Sequence, residues 1–341
     1  MVAGCLAVLA TLIGSALFPA RRRGGEADCR SRLSALGTAL QQYASLYAGT
    51  LPPGSVYGWP GDGHVQAHGW SVTGRLLPFL ERDVAASLNY SIRPEAPANL
   101  TGVSRRIGSL LCPADPNAAR GGFEQFGTPI WGTNYAWCMG DWYVAPGFGE
   151  RQAKIAPRSA FTVNSSVTWS KITDGLARTM IAAEVKTDQF LGHCDQALGI
   201  RDPEGVPPPS AQPDKVAPEY RFACEPEVAT RNESEGGESR RGHLEWFDGR
   251  VAHTGFTTAW RPNFPTPLRR GLAPPSDGDL LGIPEHEGER GPTFAAITSR
   301  SFHEGGVWVL FADGSVRWNA DGISGDVWRA QGTIANRDGD Q

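Results

Sequence analysis

The first apolar stretch of the chain has the length of a membrane-spanning helix. Positions 2–20 hold no charged residue. At about 1.5 Å per residue, a helix of that length nearly matches a hydrocarbon core of about 30 Å. Segment 2–20 is therefore predicted to anchor the chain in a membrane. A cleavable signal peptide is the alternative: small residues at 14–16 favour it, and the lack of a basic residue before the apolar run argues against it.

A second, amphipathic pattern follows. Large apolar side chains recur three and four residues apart, which places them on one face of a helix: Leu33, Leu36, Leu40, Tyr43 and Tyr47. Gly49 and the Pro52-Pro53 pair would end that helix. The pattern predicts a helix at 28–48 whose apolar face packs on a sheet.

Beyond Pro53 the pattern changes to short strands separated by turn residues. A continuous apolar run, 307–311, is followed by Asp313-Gly314 and a second strand at 315–318. Asp-Gly between two strands favours a two-residue type I′ turn, so a hairpin is predicted within element 303–319. Segment 202–241 is rich in Pro, Glu and Ser, and segment 262–292 is rich in Pro and Gly. Both are predicted to be long surface loops.

Composition and charge narrow the classes of partner. The chain of 341 residues is 40% apolar, which is enough for a globular core. Acidic residues outnumber basic ones, 36 to 32, and no basic stripe is present, so nucleic acid is not expected as a partner. The 42 Gly and 26 Pro follow no period, which indicates many turns and excludes a collagen-like repeat.

Cysteine spacing gives a weak prediction of disulfides. Six cysteines include no Cys-x-x-Cys pair, so zinc-ribbon and thioredoxin-like readings lack support. If the domain lies outside the cytoplasm, the pairs expected from short loop closure are Cys112 with Cys138 and Cys194 with Cys224. Other connectivities remain open.

His303 is the main candidate for a catalytic or metal-binding residue. His303-Glu304 opens like a zincin motif, but Val307 stands where the second His would be needed. His303 is instead expected to hydrogen-bond backbone at the base of the hairpin. Nucleophile, phosphate-binding and dinucleotide motifs are absent from the sequence. We therefore expect no catalytic residue, no cofactor and no metal ligand. The 11 Trp residues are expected in the core; an exposed aromatic surface that binds carbohydrate or protein is the alternative.

Several short motifs occur in a fixed order along nearly the whole chain. They are Leu17-Phe18-Pro19-Ala20, Cys29, Leu36-Gly37-Thr38-Ala39-Leu40, Leu51-Pro52-Pro53-Gly54, Trp70-Ser71-Val72, Leu111-Cys112-Pro113-Ala114-Asp115-Pro116, Thr133-Asn134-Tyr135-Ala136, Ile172-Thr173-Asp174-Gly175 with Glu184, Asp248-Gly249-Arg250 and Thr254-Gly255-Phe256. The most specific motif follows these near the C-terminus, where nine residues separate His303 from Asp313-Gly314. In these motifs the chain resembles the DUF1559 family of planctomycete pilin-like proteins, which carry a His, nine residues, Asp-Gly signature.

The resemblance implies an α+β fold of the type IV pilin kind. A long N-terminal helix would lie half in the membrane and half on an antiparallel sheet, with domain 24–341 exported to the periplasm or cell surface. It further implies a structural or assembly role, as in a pseudopilin of a type II secretion-like system, with other pilin-like subunits as partners. A membrane-anchored or secreted binding protein for a carbohydrate or protein ligand is the alternative.

One feature departs from that family pattern, and a second leaves the orientation of the anchor contested. Prepilins carry a basic leader and a Glu at the fifth mature position, whereas here the Glu position falls near Val2. The start codon then lies upstream, or processing has been lost. The arginines at 21–23 also follow the apolar run, and the positive-inside rule would place that end in the cytoplasm, opposite to the resemblance.

Overall fold

An amphipathic helix at 25–46 (α1) begins the part of the chain that the computed structural model describes. The described residues are 25–58, 66–67, 69–119, 123–125, 127–145, 158–164, 166–193, 241–265, 267–270, 273–281 and 293–335. The predicted anchor at 2–20 and the cysteines Cys194 and Cys224 lie outside them, as does nearly all of the predicted loop 202–241. Within these ranges, every helix is too short or too polar to cross a bilayer.

The buried face of α1 is the predicted leucine stripe. Leu33, Leu36 and Leu40 are at most 2% exposed, and Tyr43 is half-buried. The helix ends at 46, before Tyr47, where Ala48 (φ 51°) and Gly49 (φ 80°) reverse the chain. Tyr47 is consequently 54% exposed, and its predicted place in the buried stripe is wrong.

Fifteen strands and five further helices follow α1 in the described residues. The strands are β1 (Tyr57–Gly58), β2 (Gln66–Ala67), β3 (Phe123–Gln125), β4 (Thr128–Ile130), β5 (Tyr135–Cys138), β6 (Tyr143–Ala145), β7 (Met180–Glu184), β8 (Gln189–His193), β9 (Arg241–Gly242), β10 (Gly255–Phe256), β11 (Pro267–Arg270), β12 (Ala273–Leu281), β13 (Thr293–Ala296), β14 (Gly306–Phe311) and β15 (Val316–Ala320). The helices are α2 (Val72–Leu80), α3 (Arg82–Ala86), α4 (Leu100–Val103), α5 (Val251–Thr254) and α6 (Gly325–Gln331).

Two mixed sheets organise the strands, and antiparallel pairs dominate both. One sheet has the order β10-β5-β7-β14-β15, in which only the pair of β10 with β5 is parallel. The second has the order β6-β13-β12-β8-β9, with β11 on β12, and pairs β12 with β8 in parallel. The fold class is therefore α+β, as predicted.

Segment 262–292, predicted to be a loop, contains two strands instead. Strands β11 and β12 form an antiparallel pair, and residues 278–281 of β12 also pair with β8. The prolines within the two strands did not prevent strand formation, because Pro267 opens β11, and Pro274 and Pro275 lie near the start of β12, ahead of the pairing with β8. Asp279 is wholly buried there: its carboxylate accepts the N–H of Thr298 and faces the Arg300 guanidinium at 3.4 Å.

Tryptophan side chains fill much of the core, as the composition predicted. Among those that the structure describes, six are at most 3% exposed: Trp70, Trp137, Trp142, Trp246, Trp260 and Trp328. Two of them also make indole hydrogen bonds: the N–H of Trp70 donates to the Ile92 carbonyl and that of Trp137 to the Thr73 hydroxyl. Trp318 is the most exposed of the described tryptophans, at 38%.

The predicted hairpin is present, but its turn is of a different type. Strands β14 and β15 pair with Leu310 opposite Val316, and the Phe311 N–H still donates to the Ser315 carbonyl. The loop therefore has three residues, 312–314, and only Gly314 has positive φ, at 86°. A type I′ turn needs positive φ at both central residues, so the predicted type I′ turn is wrong. The observed loop matches a type I turn followed by a left-handed glycine.

We expect Gly314→Ala to destabilise the fold by about 1 kcal/mol or more. A side chain at φ 86° is strained, and its Cβ would lie 2.8 Å from Nε2 of Gln41 on α1. Chemical denaturation measures the loss. Gly322→Ala is the matched control, because a Cβ at Gly322 meets no atom within 4 Å. Equal free energies of unfolding for the two variants would contradict the turn geometry.

Candidate functional site

Four buried side chains meet between α1 and the five-stranded sheet; we call Cys29, Cys112, Glu184 and His303 the His303 cluster. Cys29 lies on α1, Cys112 follows the 3₁₀ turn Gly108–Leu110, Glu184 ends β7 and His303 precedes β14. One sulfur, nitrogen or oxygen atom from each lies within 4.8 Å of those from the others. All four residues are at most 4% exposed, so the cluster is a buried junction of elements that are distant in the sequence.

The centre of the His303 cluster is the pair of His303 with Glu184. Nε2 of His303 lies 3.3 Å from Oε1 of Glu184 and 3.7 Å from Sγ of Cys112. The other carboxylate oxygen, Oε2, accepts the backbone N–H of Trp308 at 2.9 Å. The main-chain carbonyl of Glu184 accepts the Arg300 N–H and the Ser299 hydroxyl. Glu184 thus holds the end of β7 to the chain that leads into β14.

Cys29 and Cys112 form a disulfide, which corrects the predicted pairing of Cys112 with Cys138. Cys138 is a buried free thiol whose Sγ lies 3.4 Å from the Gly332 carbonyl oxygen. Burial raises the pKa of that thiol to about 12, so it stays protonated at neutral pH. Sequence distance misled the prediction: the observed bond closes a separation of 83 residues, and the fold brings those two cysteines together.

A second buried carboxylate, Asp115, fixes the loop that carries Cys112. Its Oδ2 accepts the Asn134 side-chain amide at 2.6 Å and both the N–H and the hydroxyl of Thr187, while Oδ1 accepts the Asn117 N–H. Asn134 in turn accepts the Cys112 N–H at 2.7 Å and donates to the Val185 carbonyl. These bonds tie the disulfide loop to the end of β7.

The two ends of the His, nine residues, Asp-Gly signature do not meet. His303 lies before β14 and Asp313-Gly314 lies after it, at opposite ends of a strand about 20 Å long. Asp313 accepts the Ser315 N–H and hydroxyl and pairs with Arg317 at 3.0 Å. Its slight burial acts to raise the carboxyl pKa, but these partners outweigh that effect and lower it. The partners of the Asp313 carboxylate thus all lie within four residues of it, in the hairpin itself.

Both ends of that strand contact α1. At one end, Cys29 of α1 is part of the His303 cluster through its disulfide with Cys112. At the same end, the Arg30 guanidinium lies 5.4 Å from the centre of the Trp308 ring. Towards the other end, Gly37 faces Leu310 and Gln41 faces Gly314. The nine-residue spacing therefore matches the length of strand that α1 covers.

A separate charged group, the carboxylate cluster, comprises Glu245, Asp248 and His253 beside α5. Their ligand atoms also lie within 4.8 Å of one another. The Arg250 guanidinium is 2.6 Å from Asp248 and 3.8 Å from Glu245, and His253 Nε2 is 3.6 Å from Glu245. A guanidinium between the carboxylates supplies the positive charge that a metal ion would bring, so the arrangement is that of an ion-pair network.

Glu95 adds a titratable group to the carboxylate cluster. Burial raises the pKa of Glu95 to about 7, and the negative charges of Asp248 and Glu245 add to that effect. The pKa of Asp248 is lowered: burial acts upward, but Arg250 and His253 outweigh it. The two acids therefore have different protonation states near neutral pH.

Sequence reasoning singled out His303 and the hairpin but assigned no role to Cys29, Asp115, Asn134 or Glu184. Each of these residues stands in one of the ordered motifs, so the motifs carried the signal. Their common property is burial with polar contacts at the junction of α1, β7 and β14.

The fold and the His303 cluster define an α+β protein whose first described helix is bonded covalently to a mixed sheet domain. A family model described as a protein of unknown function (DUF1559) matches residues 19–325. The chain belongs to that family, as its motifs predicted. No curated protein and no solved structure matches the chain.

Asp115→Ala should cost about 3 kcal/mol or more of folding free energy, because it leaves several buried donors without their acceptor. Asp326→Ala is the control: its side chain is 82% exposed and pairs only at the surface, with Arg329. We expect the control to change stability by about 0.5 kcal/mol or less. Urea denaturation of both variants checks the difference, and a small loss for Asp115→Ala would refute the anchoring role of that carboxylate.

The raised pKa of Glu95 predicts a pH dependence of stability. The folded state binds the Glu95 proton more tightly than the unfolded chain, whose ordinary value is 4.5. This stabilisation is complete below that value and is lost as pH rises through about 7. Melting temperatures of the wild type should fall between about pH 5 and about pH 8 relative to those of Glu95→Gln. If the melting temperatures of the two proteins changed in parallel with pH, the raised pKa of Glu95 would be contradicted.

Proposed function

We propose that this protein is a pilin-like structural subunit of the cell envelope, anchored by segment 2–20 and exposing domain 24–341 outside the cytoplasm. The observation that carries the proposal is the position of α1. One face of this helix is buried on the sheet, and four residues, three of them arginines, separate the helix from the uncharged run 2–20, which has membrane-spanning length. A helix half in the membrane and half on a sheet is the arrangement through which pilin-type subunits assemble.

The Cys29–Cys112 disulfide supports an exported domain. Disulfides persist in oxidising compartments and are rare in the cytosol. The bond joins α1 to the body of the domain only nine residues after the predicted anchor ends, so a pull on the anchor would be carried into the sheet domain through a covalent link. That is a useful property in a subunit held by its N-terminal helix.

The alternative function, a membrane-anchored or secreted protein that binds a carbohydrate or protein ligand through exposed aromatic residues, has less support. Most of the described tryptophans are buried or half-buried, and the most exposed, Trp318, packs its ring against Trp308 at 5.3 Å between centres. The proposed role is assembly with other pilin-like subunits in a secretion-type or surface structure, without catalysis.

Site-specific photo-crosslinking in cells that naturally carry the protein tests assembly. A photo-reactive phenylalanine analogue at Leu9, inside the predicted anchor, should give a ladder of crosslinked subunits in the membrane fraction. The same analogue at the exposed Thr101 should leave the chain monomeric. Subunit helices in contact within an assembly would crosslink only through the anchor.

Two outcomes would count against the proposal. Recovery of the chain in the soluble cytoplasmic fraction would exclude the anchor. Membrane recovery with only monomers at Leu9 would exclude assembly and favour a monomeric anchored binding protein.

A further inference from the structure

The His303 cluster brings together the donor types of a zinc site. It offers two sulfur atoms, one imidazole nitrogen and one carboxylate oxygen, all within 4.8 Å of one another. Zinc sites in proteins are commonly built from such Cys, His and acidic ligands in fours. Within the oxidised protein the two sulfurs are bonded to each other.

The separations already fit tetrahedral coordination. With Zn–S bonds of about 2.3 Å and Zn–N or Zn–O bonds of about 2.0–2.1 Å, ligand atoms lie roughly 3.3–3.8 Å apart. Nε2 of His303 is 3.3 Å from Oε1 of Glu184 and 3.7 Å from Sγ of Cys112. Two edges of the tetrahedron are therefore in place before any ion enters.

The carboxylate supplies an independent indication. Glu184 is 2% exposed, and its Oε2 accepts the Trp308 N–H. Its Oε1 is buried and accepts no hydrogen bond from any described residue. A buried carboxylate oxygen without a donor is costly, and a metal ion or a protonated imidazole compensates that cost. Oε1 lies 3.3 Å from Nε2 of His303, within the group of four donor atoms.

We propose that the dithiol form of this protein binds one Zn²⁺ through Cys29, Cys112, Glu184 and His303. A dithiol reductant delivers two electrons and two protons to the Cys29–Cys112 bond and itself becomes a disulfide, leaving two protein thiols. Zn²⁺ then displaces the two thiol protons and forms bonds to both sulfurs. The disulfide and the zinc ion are alternative occupants of one site.

Either occupant bridges the same elements. The disulfide joins α1 to the Cys112 loop, and a zinc ion would join both of them to β7 and to the residue before β14 as well. The attachment of α1 would therefore survive reduction when zinc is present and weaken when it is absent. This inference does not depend on membrane assembly.

The test compares oxidised and reduced protein in a full-length chain with Cys5, Cys138, Cys194 and Cys224 replaced by Ser, so that only the two cluster cysteines remain. After reduction by a phosphine, incubation with Zn²⁺ and gel filtration, the reduced form should retain one zinc per chain and the oxidised form none. Zinc should raise the melting temperature of the reduced form only. Co²⁺ in its place should give thiolate charge-transfer and tetrahedral d–d bands.

Glu184→Gln and His303→Gln should each weaken zinc binding by about tenfold or more. Asp313→Asn, at the far end of β14, is the control and should leave the affinity unchanged. If the reduced chain unfolds without metal, zinc should restore its circular dichroism signal. The proposal is overturned if the reduced chain neither retains zinc nor is refolded or stabilised by it, or if both cluster variants bind as tightly as the wild type.

Discussion

The contact between α1 and β14 is the interaction on which the rest of the structure depends. Gly37 lets the helix approach until Leu310 fills the space where a Cβ would be, at 2.9 Å. The leucine face of α1 is thereby removed from water, which is the main favourable contribution of an amphipathic helix in a protein. Because β14 lies between β7 and β15, the helix packs on a strand that is paired on both sides.

Buried polar groups then fix how the other elements meet this helix and strand. A carboxylate in the core is costly without partners, so Glu184 and Asp115 are tolerated only where the fold supplies their donors. Glu184 receives a donor from β14 and faces His303; Asp115 receives donors from three separate segments. Apolar packing alone would allow β7 to slide against its neighbours, whereas these directional bonds select one arrangement.

The sequence predicted what depends on local periodicity. The leucine stripe and the hairpin strands follow from spacing and from turn residues, whereas the α+β class was implied by the family resemblance. The turn type could not be read, because Asp-Gly is compatible with several loops and Gln41 of α1 also contacts Gly314. The Cys29–Cys112 bond and the His303 cluster join positions far apart in the chain, and β12 pairs with the distant strand β8, so no local pattern predicts them.

The nine-residue spacing of the signature has a geometric explanation. Residues 29 and 41 of α1 are separated by about 18 Å along the helix axis, and β14 is about 20 Å long. His303 meets the first of these helix turns through Cys112 and Cys29, and Gly314 meets the second. Adding or removing one residue within β14 would reverse the faces of its side chains and break one end of this match. The signature is thus a constraint on length as well as on residue type, and the fold places its His beside the Cys29–Cys112 disulfide.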